Sequence, residues 1–425
     1  MTARAPVDAG SRTDEIRIGI ALSAMGFVLA GLGACVAILA RDLHEPTSRL
    51  ALLSSGFAVG LMLVAVVGPR MLRRWEMPTV LALGSVVCAV GAVLIAVAPA
   101  YVVAIAGGLL VGLGGALLVL VAPLMLNGPT AAARLSRVNA VASGVGILAP
   151  LAVGTLDRLG PSGRLAMIAA APPLLLLAFL TRKQHAVSTA APLTQRGELG
   201  SAARRGAGSV GRQAGSASSS QEAVPVLIDS APAVGLAGKW RRVGRRVVLD
   251  VGVGWLRVVL AVAVEFCFVV WAVARLVATG LPTATAALLG SAFPIGMAVG
   301  RAIGPIRFKE WSPVVPSSVL AAAGTLLVSL FDVPAVVAAG LVVAGLGVAP
   351  LYPVTVASLV ATPGISSARL AAVGAMASGT AILVAPALLA VLARVLDLRT
   401  AYLITLPLLA VLSLLSRRSG RTSFV

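Results

Sequence analysis

The sequence has little charge, few aromatic rings and almost no histidine. Charged residues make up 12% of the chain, aromatics 4%, and only two residues are histidine. A soluble domain carries about 25% charged residues, so this composition does not supply a water-facing surface for 425 residues. His44 and His185 fall outside the long apolar runs, which excludes a histidine metal cluster and a histidine proton relay within a membrane. Cysteine is scarce as well. Cys35, Cys88 and Cys267 lie inside apolar runs, and an odd number of such thiols does not make a disulfide framework. The glycines of Gly112-x-Gly114-Gly115 have no Walker lysine and no preceding strand, which excludes an ATP-driven pump. His-Glu-x-x-His and clustered Asp pairs are absent, so the reading is of a non-enzyme with no catalytic residue, no metal and no cofactor.

Apolar residues are abundant: 59% of the chain, with mean hydropathy +1.01. A lipid-crossing helix needs about 20 mostly apolar residues. Such runs lie near 17–40, 50–69, 78–98, 101–126, 136–156 and 164–181, and again near 248–277, 284–306, 313–331, 333–360, 367–393 and 400–416. The spacing predicts an all-α integral membrane protein of about twelve transmembrane helices. Ala98-Pro99-Ala100 and Phe331-Asp332-Val333-Pro334 read as hairpin turns between them. The first run is too long for a signal peptide and reads as the first membrane helix.

The net charge of +19 is explained by position. With both termini in the cytoplasm, 25 of the 34 lysines and arginines fall on the cytoplasmic side, seven outside, and Arg257 and Arg301 within spans. An odd helix count breaks this alternation. The segments are then a cytoplasmic N-tail (1–16), a six-helix bundle (17–181), a flexible basic cytoplasmic linker (182–247), a second six-helix bundle (248–416) and a cytoplasmic C-tail (417–425). The linker is rich in Ser, Gly, Ala and Arg and reads as a solvated tether beside anionic headgroups.

The two bundles repeat. Ala51-Leu52-Leu53-Ser54-Ser55-Gly56-Phe57 aligns with Ala287-Leu288-Leu289-Gly290-Ser291-Ala292-Phe293. In that register Gly60 falls on Gly296, Gly68-Pro69 on Gly304-Pro305 and Trp75 on Trp311. Ala142-Ser143-Gly144 matches Ala377-Ser378-Gly379, and Pro150 is paired with Pro386. Each match falls on the same-numbered helix of its half, and six helices per half give both halves the same orientation. This is a parallel repeat.

Two parallel six-helix halves joined by a long cytoplasmic loop resemble the major facilitator superfamily. The loop after helix 2, Gly68-Pro69-Arg70-Met71-Leu72-Arg73-Arg74, keeps that family's arginine as Arg73 but has Leu72 where the family has Asp. Ala149-Pro150-Leu151-Ala152-Val153-Gly154 is similar to an antiporter motif. Glu265-Phe266 with Trp271, Gly296-Met297-Ala298-Val299-Gly300-Arg301, and Gly345 to Pro353 resemble the fucose-permease-like branch. The resemblance implies alternating access around a central cavity lined by helices 1, 4, 7 and 10. It also implies proton-linked symport of a sugar-like or other small polar solute, with Arg73, Arg301, Pro150 and Pro386 in gating or structural roles.

Among the 15 carboxylates, Glu265 alone sits near the middle of a long apolar span. A charged group there costs about 2.5–3.5 kcal/mol on insertion scales. A residue kept at that cost is a proton-coupling candidate, or a structural carboxylate bonded to a neighbouring helix. Trp271 and Phe268 share its helix. They either offer aromatic faces to a solute or pack against neighbouring helices. Tyr352, between Pro350 and Pro353, belongs to a predicted kink and is a candidate cavity hydroxyl. Asn127 is a weaker substrate-binding candidate at the end of helix 4. Arg301 either snorkels to headgroups or pairs with Glu265 or an anionic ligand.

The expected partners are a small solute, protons and the lipid bilayer, without nucleic acid, for a monomer in the cytoplasmic membrane. Two rival readings stand beside it: an exporter of drug-like or metabolite compounds, and a non-transporting scaffold or sensor.

Overall fold

The computed structural model describes residues 9–46, 53–126, 131–190, 245–303 and 312–419. The chain divides into one compact unit, Met1–Arg182 with Arg246–Val425, and a second, Lys183–Arg245. Most of the basic linker, 191–244, lies outside the described residues, as does Asn127.

The first half holds α1 (Ala9–Asp42), α2 (Leu53–Arg74), α3 (Met77–Val97), α4 (Tyr101–Met125) and α5 (Ala131–Arg158). Its sixth rod, α6, opens as a 3-10 stretch (Gly163–Ala170) and continues as Ala171–Ala190. The second half starts with α7 (Arg245–Val277) and α8 (Thr283–Gly290, then Ala292–Ile303). It continues with α9 (Val314–Leu330), α10 (Pro334–Val348, then Leu351–Val360) and α11 (Ser367–Val395). The last rod, α12, comprises Leu398–Ala401, a 3-10 turn Tyr402–Ile404 and Thr405–Ser419. Among the described residues there is no strand. Ten helices among the described residues are long and apolar enough to cross a membrane, and Leu53–Gly68 and Val314–Leu330 are shorter apolar helices. The chain is a multi-pass membrane protein.

α1 starts at Ala9, earlier than the apolar run that marks it in the sequence. Hydropathy reports only lipid-buried residues, whereas the backbone ladder continues through the polar turn. An Asp14–Arg17 pair at 3.6 Å, one turn apart, supports that turn.

The helix breaks sit at prolines. Pro350 and Pro353 lack the N–H groups that α10 needs, and the helix interrupts between Val348 and Leu351. Pro294 does the same for α8, whose first segment stops at Gly290; the Ser291 hydroxyl donates to the Leu288 carbonyl at 2.6 Å. Pro150 and Pro386 are carried inside α5 and α11 and are both buried.

Glycine sets how closely the helices approach. Without a hydrophobic driving force in lipid, close backbone packing holds such bundles together. A Cβ on Gly112 of α4 would lie 2.3 Å from the Phe57 carbonyl oxygen of α2, and one on Gly345 of α10 would lie 2.4 Å from that of Phe293 in α8. Phe57 and Phe293 are repeat partners, so the same contact is built twice. The Gly112-x-Gly114-Gly115 string is thus a packing face, and Gly296 and Gly300 of α8 likewise lie against α10. Within each half α4 packs on α2 and α3, as α10 packs on α8 and α9. Between halves, α2 meets α11 and α5 meets α8, two contacts that exchange under the repeat.

Candidate functional site

Because successive helices reverse direction, one end of the bundle carries the start of α1 and the end of α12. It is called the near end, and the opposite end the far end. Glu265 lies midway along α7. One turn further on, Val269 abuts α1, where its carbonyl oxygen would be 2.3 Å from a Cβ on Gly33. The face of α7 that carries Glu265 is therefore the face turned toward the other half.

Glu265 meets Arg301 there. An oxygen of its carboxylate is 3.6 Å from the Arg301 guanidinium, and the two side chains are 16% and 36% exposed. Arg301 stands near the near end of α8 and reaches back into the bundle. The same guanidinium donates to the Ser143 hydroxyl of α5 at 2.6 Å, across the boundary between halves. Ser143 in turn donates to the Asn139 carbonyl at 2.9 Å. A hydroxyl serves both bonds, because it has one proton and two lone pairs. Of the two roles open to Arg301 in the sequence, this structure shows the pairing with Glu265. The guanidinium is held by Glu265 and Ser143, because α8 and α5 run side by side at this level.

Tyr352 joins the group from α10. It follows the break at Pro350, is 37% exposed, and reaches the Ser378 side chain of α11. Its hydroxyl is close enough to feel the charges of both Glu265 and Arg301. Ser378 is the repeat partner of Ser143, so each half contributes the same serine to one locus.

Phe268 and Trp271 do not join this group. The Phe268 ring is fully buried, stacked on Phe293 and tilted on Tyr402, each at 5.3 Å between centroids. Trp271 leaves α7 about 120° around the helix from Glu265. It is buried and its indole donates to the Pro386 carbonyl at 3.3 Å. Both rings knit the second bundle together in this conformation. Arg73 is exposed at the near end of α2.

A second set of charges, at the far end, escapes sequence reasoning. Arg41 donates to both oxygens of Asp157 at 2.7 Å each, and Asp42 accepts from Ser162 at 2.5 Å. Arg164 bonds the Ala98 carbonyl at 2.6 Å. In the other half the buried Arg275 donates to Asp332 at 2.7 Å and to the Phe331 carbonyl at 2.7 Å. Arg399 donates to the other oxygen of Asp332 at 2.6 Å. Arg164 and Arg399 both open the sixth helix of their half and both tie it to the turn between helices 3 and 4 or 9 and 10. The paired arginines hold the Asp332 carboxyl below the usual carboxylate range, chiefly through the hydrogen bond from Arg275. The partners are 56 to 120 residues apart in the chain, and each of the charges reads in the sequence as a loop charge. Only the matched spacing of Arg164 and Arg399 within the repeat signals them.

No family model matches the sequence, and no curated protein matches it. Solved structures do match in fold. A bacterial homologue of the human lysosomal transporter Spinster, in an inward-facing and unoccupied conformation, has TM-score 0.70 at 11% identity over 98% of both chains. The nucleoside transporter NupG has TM-score 0.65 at 12% identity, over 98% of this chain and 100% of that one. The chain has the major facilitator fold.

Proposed function

We propose that this protein is a secondary active transporter. It moves a small polar solute across the cytoplasmic membrane by alternating access, coupled to protons through Glu265, with the near end and both termini in the cytoplasm. One observation carries the reading: a lone mid-span carboxylate sits on the surface where the two halves meet, beside a cation that touches both halves. The transporters with the same fold support it.

The mechanism follows from the contacts. At the far end the halves are joined by Gly33 against Val269, Gly154 against Ala284 and Leu288, and Arg158 to the Thr285 hydroxyl at 2.9 Å. Separation there, with closure at the near end, gives Glu265 access to the other compartment. Charged, Glu265 holds Arg301. Protonated, it releases that cation and crosses as a neutral group, which avoids the cost of moving a bare carboxylate through a low-dielectric region. Tyr352 and Ser378 supply hydroxyls for a polar solute.

Glu265→Gln in proteoliposomes tests the assignment. The variant keeps the shape of the side chain and removes its titration. Loss of uptake driven by an imposed pH gradient, with solute exchange retained, is expected. Concentrative proton-driven uptake by the variant at the wild-type level overturns the coupling role.

A further inference from the structure

We infer that the solute is a small carboxylate, of the sugar-acid or hydroxy-acid type, and that its carboxylate replaces Glu265 on Arg301 when Glu265 takes up a proton. The inference rests on the proton-coupling reading and adds the substrate class to it.

Three observations lead here. The Glu265–Arg301 contact is long, 3.6 Å, and each side chain remains partly accessible. At the far end Arg41–Asp157, Arg275–Asp332 and Arg399–Asp332 are 2.6 to 2.7 Å, while the Arg164–Asp42 pair, also 3.6 Å, lies within one half rather than between the two. A long, accessible pair at the boundary between halves is suited to exchange, whereas the short pairs are suited to permanence. Next, the partner of Arg301 in the other half is neutral. Ser143 accepts one N–H, so a guanidinium with five donors keeps capacity for a planar oxyanion. Finally, charge is balanced only by an anion. Among the described residues, the charged and titratable groups facing Glu265 are Arg301 from α8 and Tyr352 from α10; α5 and α11 contribute the hydroxyls of Ser143 and Ser378. Protonating Glu265 leaves this locus with one uncompensated positive charge. A neutral solute leaves it so, in a region where an unpaired charge is expensive. A monocarboxylate restores neutrality, and its hydroxyls find Tyr352, Ser378 and Ser143.

The balance is explicit. One proton moves onto the Glu265 carboxylate, one anion moves onto Arg301, and the loaded locus has the same net charge as the empty one. Transport is therefore electroneutral, one proton per monocarboxylate.

The test uses the full chain in proteoliposomes with radiolabelled gluconate and lactate against glucose and uridine. The membrane potential is clamped by potassium and valinomycin. Uptake of a carboxylate driven by the pH gradient, at a rate unchanged between zero and an inside-negative potential, is expected. Arg301→Gln should raise the apparent KM for that carboxylate by about tenfold or more. Arg301→Lys, which keeps the charge, should recover part of the loss and guards against a folding defect. Three results overturn the inference: uptake of the neutral probes alone, acceleration of carboxylate uptake by inside-negative potential, or an unchanged KM in Arg301→Gln. Proton-driven glucose or uridine uptake that Glu265→Gln abolishes would sink the carboxylate while leaving the coupling role standing. Coupled uptake surviving in Glu265→Gln would remove both.

Discussion

Gly345 and Gly144 show what single atoms decide in this bundle. A methyl group on Gly345 would press within 2.4 Å of a backbone oxygen of α8, which has no flexible end to yield. Nothing lies within 4 Å of a Cβ on Gly144. Gly345→Ala should therefore destabilise the protein by about 1–3 kcal/mol, the range for overpacking a fitted site. Gly144→Ala should be neutral or slightly stabilising, because alanine is the better helix former. Thermal melts of both variants in detergent check the contrast, and equal melting temperatures would count against the close α8–α10 approach. Glu265 is legible in the sequence for an equally local reason: one charge interrupts an apolar run. Its partner is not, because whether Arg301 turns to lipid or inward depends on how α5 and α8 lie together. Ser143 carries no sequence signal beyond its match to Ser378 in the repeat, being one hydroxyl in a helix that tolerates hydroxyls. Phe268 and Trp271 look like solute contacts because they neighbour Glu265 in the chain. Helical geometry turns Trp271 away toward Pro386, and Phe268, although a near neighbour of Glu265 on the helix, is packed between Phe293 and Tyr402.

At the scale of elements, proline makes the breaks readable and long-range charge pairing stays hidden. The interruption of α10 follows from Pro350 and Pro353, and the turn from Phe331 to Pro334 is where the sequence places it. The Arg275–Asp332–Arg399 cluster that fixes that turn to α7 and α12 needs the folded arrangement to be seen. It carries a pH signature. The folded Asp332 carboxyl titrates below its unfolded value, so its contribution to stability is present above the ordinary carboxylate pKa of about 3.9. That contribution is lost as pH falls through the lower, folded value. Acidification below about pH 4 should lower the melting temperature of the wild type. Asp332→Asn should start lower at neutral pH and show a shallower acid dependence. Identical acid profiles for the two proteins would deny the cluster this role.

For the whole molecule, the repeat was the most informative feature of the chain. It predicts two bundles in one orientation, and the contacts bear out the symmetry to the level of carbonyl oxygens at Gly112 and Gly345. The repeat also runs further than the aligned motifs. Gly91 lies on Gly107 in the first half as Gly324 lies on Gly340 in the second, in a register shifted by three residues from that of α2 and α8. Glycine-rich helices hide such a shift, since many alignments of small residues score alike. Two related halves meet at α2–α11 and α5–α8, the boundary at which the proposed alternating access works, and Glu265 and Arg301 lie on it. If proton and solute movements are one event there, each must drive the other. The direct measurement is proton flux into proteoliposomes of the purified protein, followed with an entrapped pH dye. Solute is the only gradient applied, with equal pH on both sides. A solute gradient directed inward should acidify the lumen in the wild type and leave it unchanged in Glu265→Gln. Solute entry without any accompanying proton movement in the wild type would contradict the account.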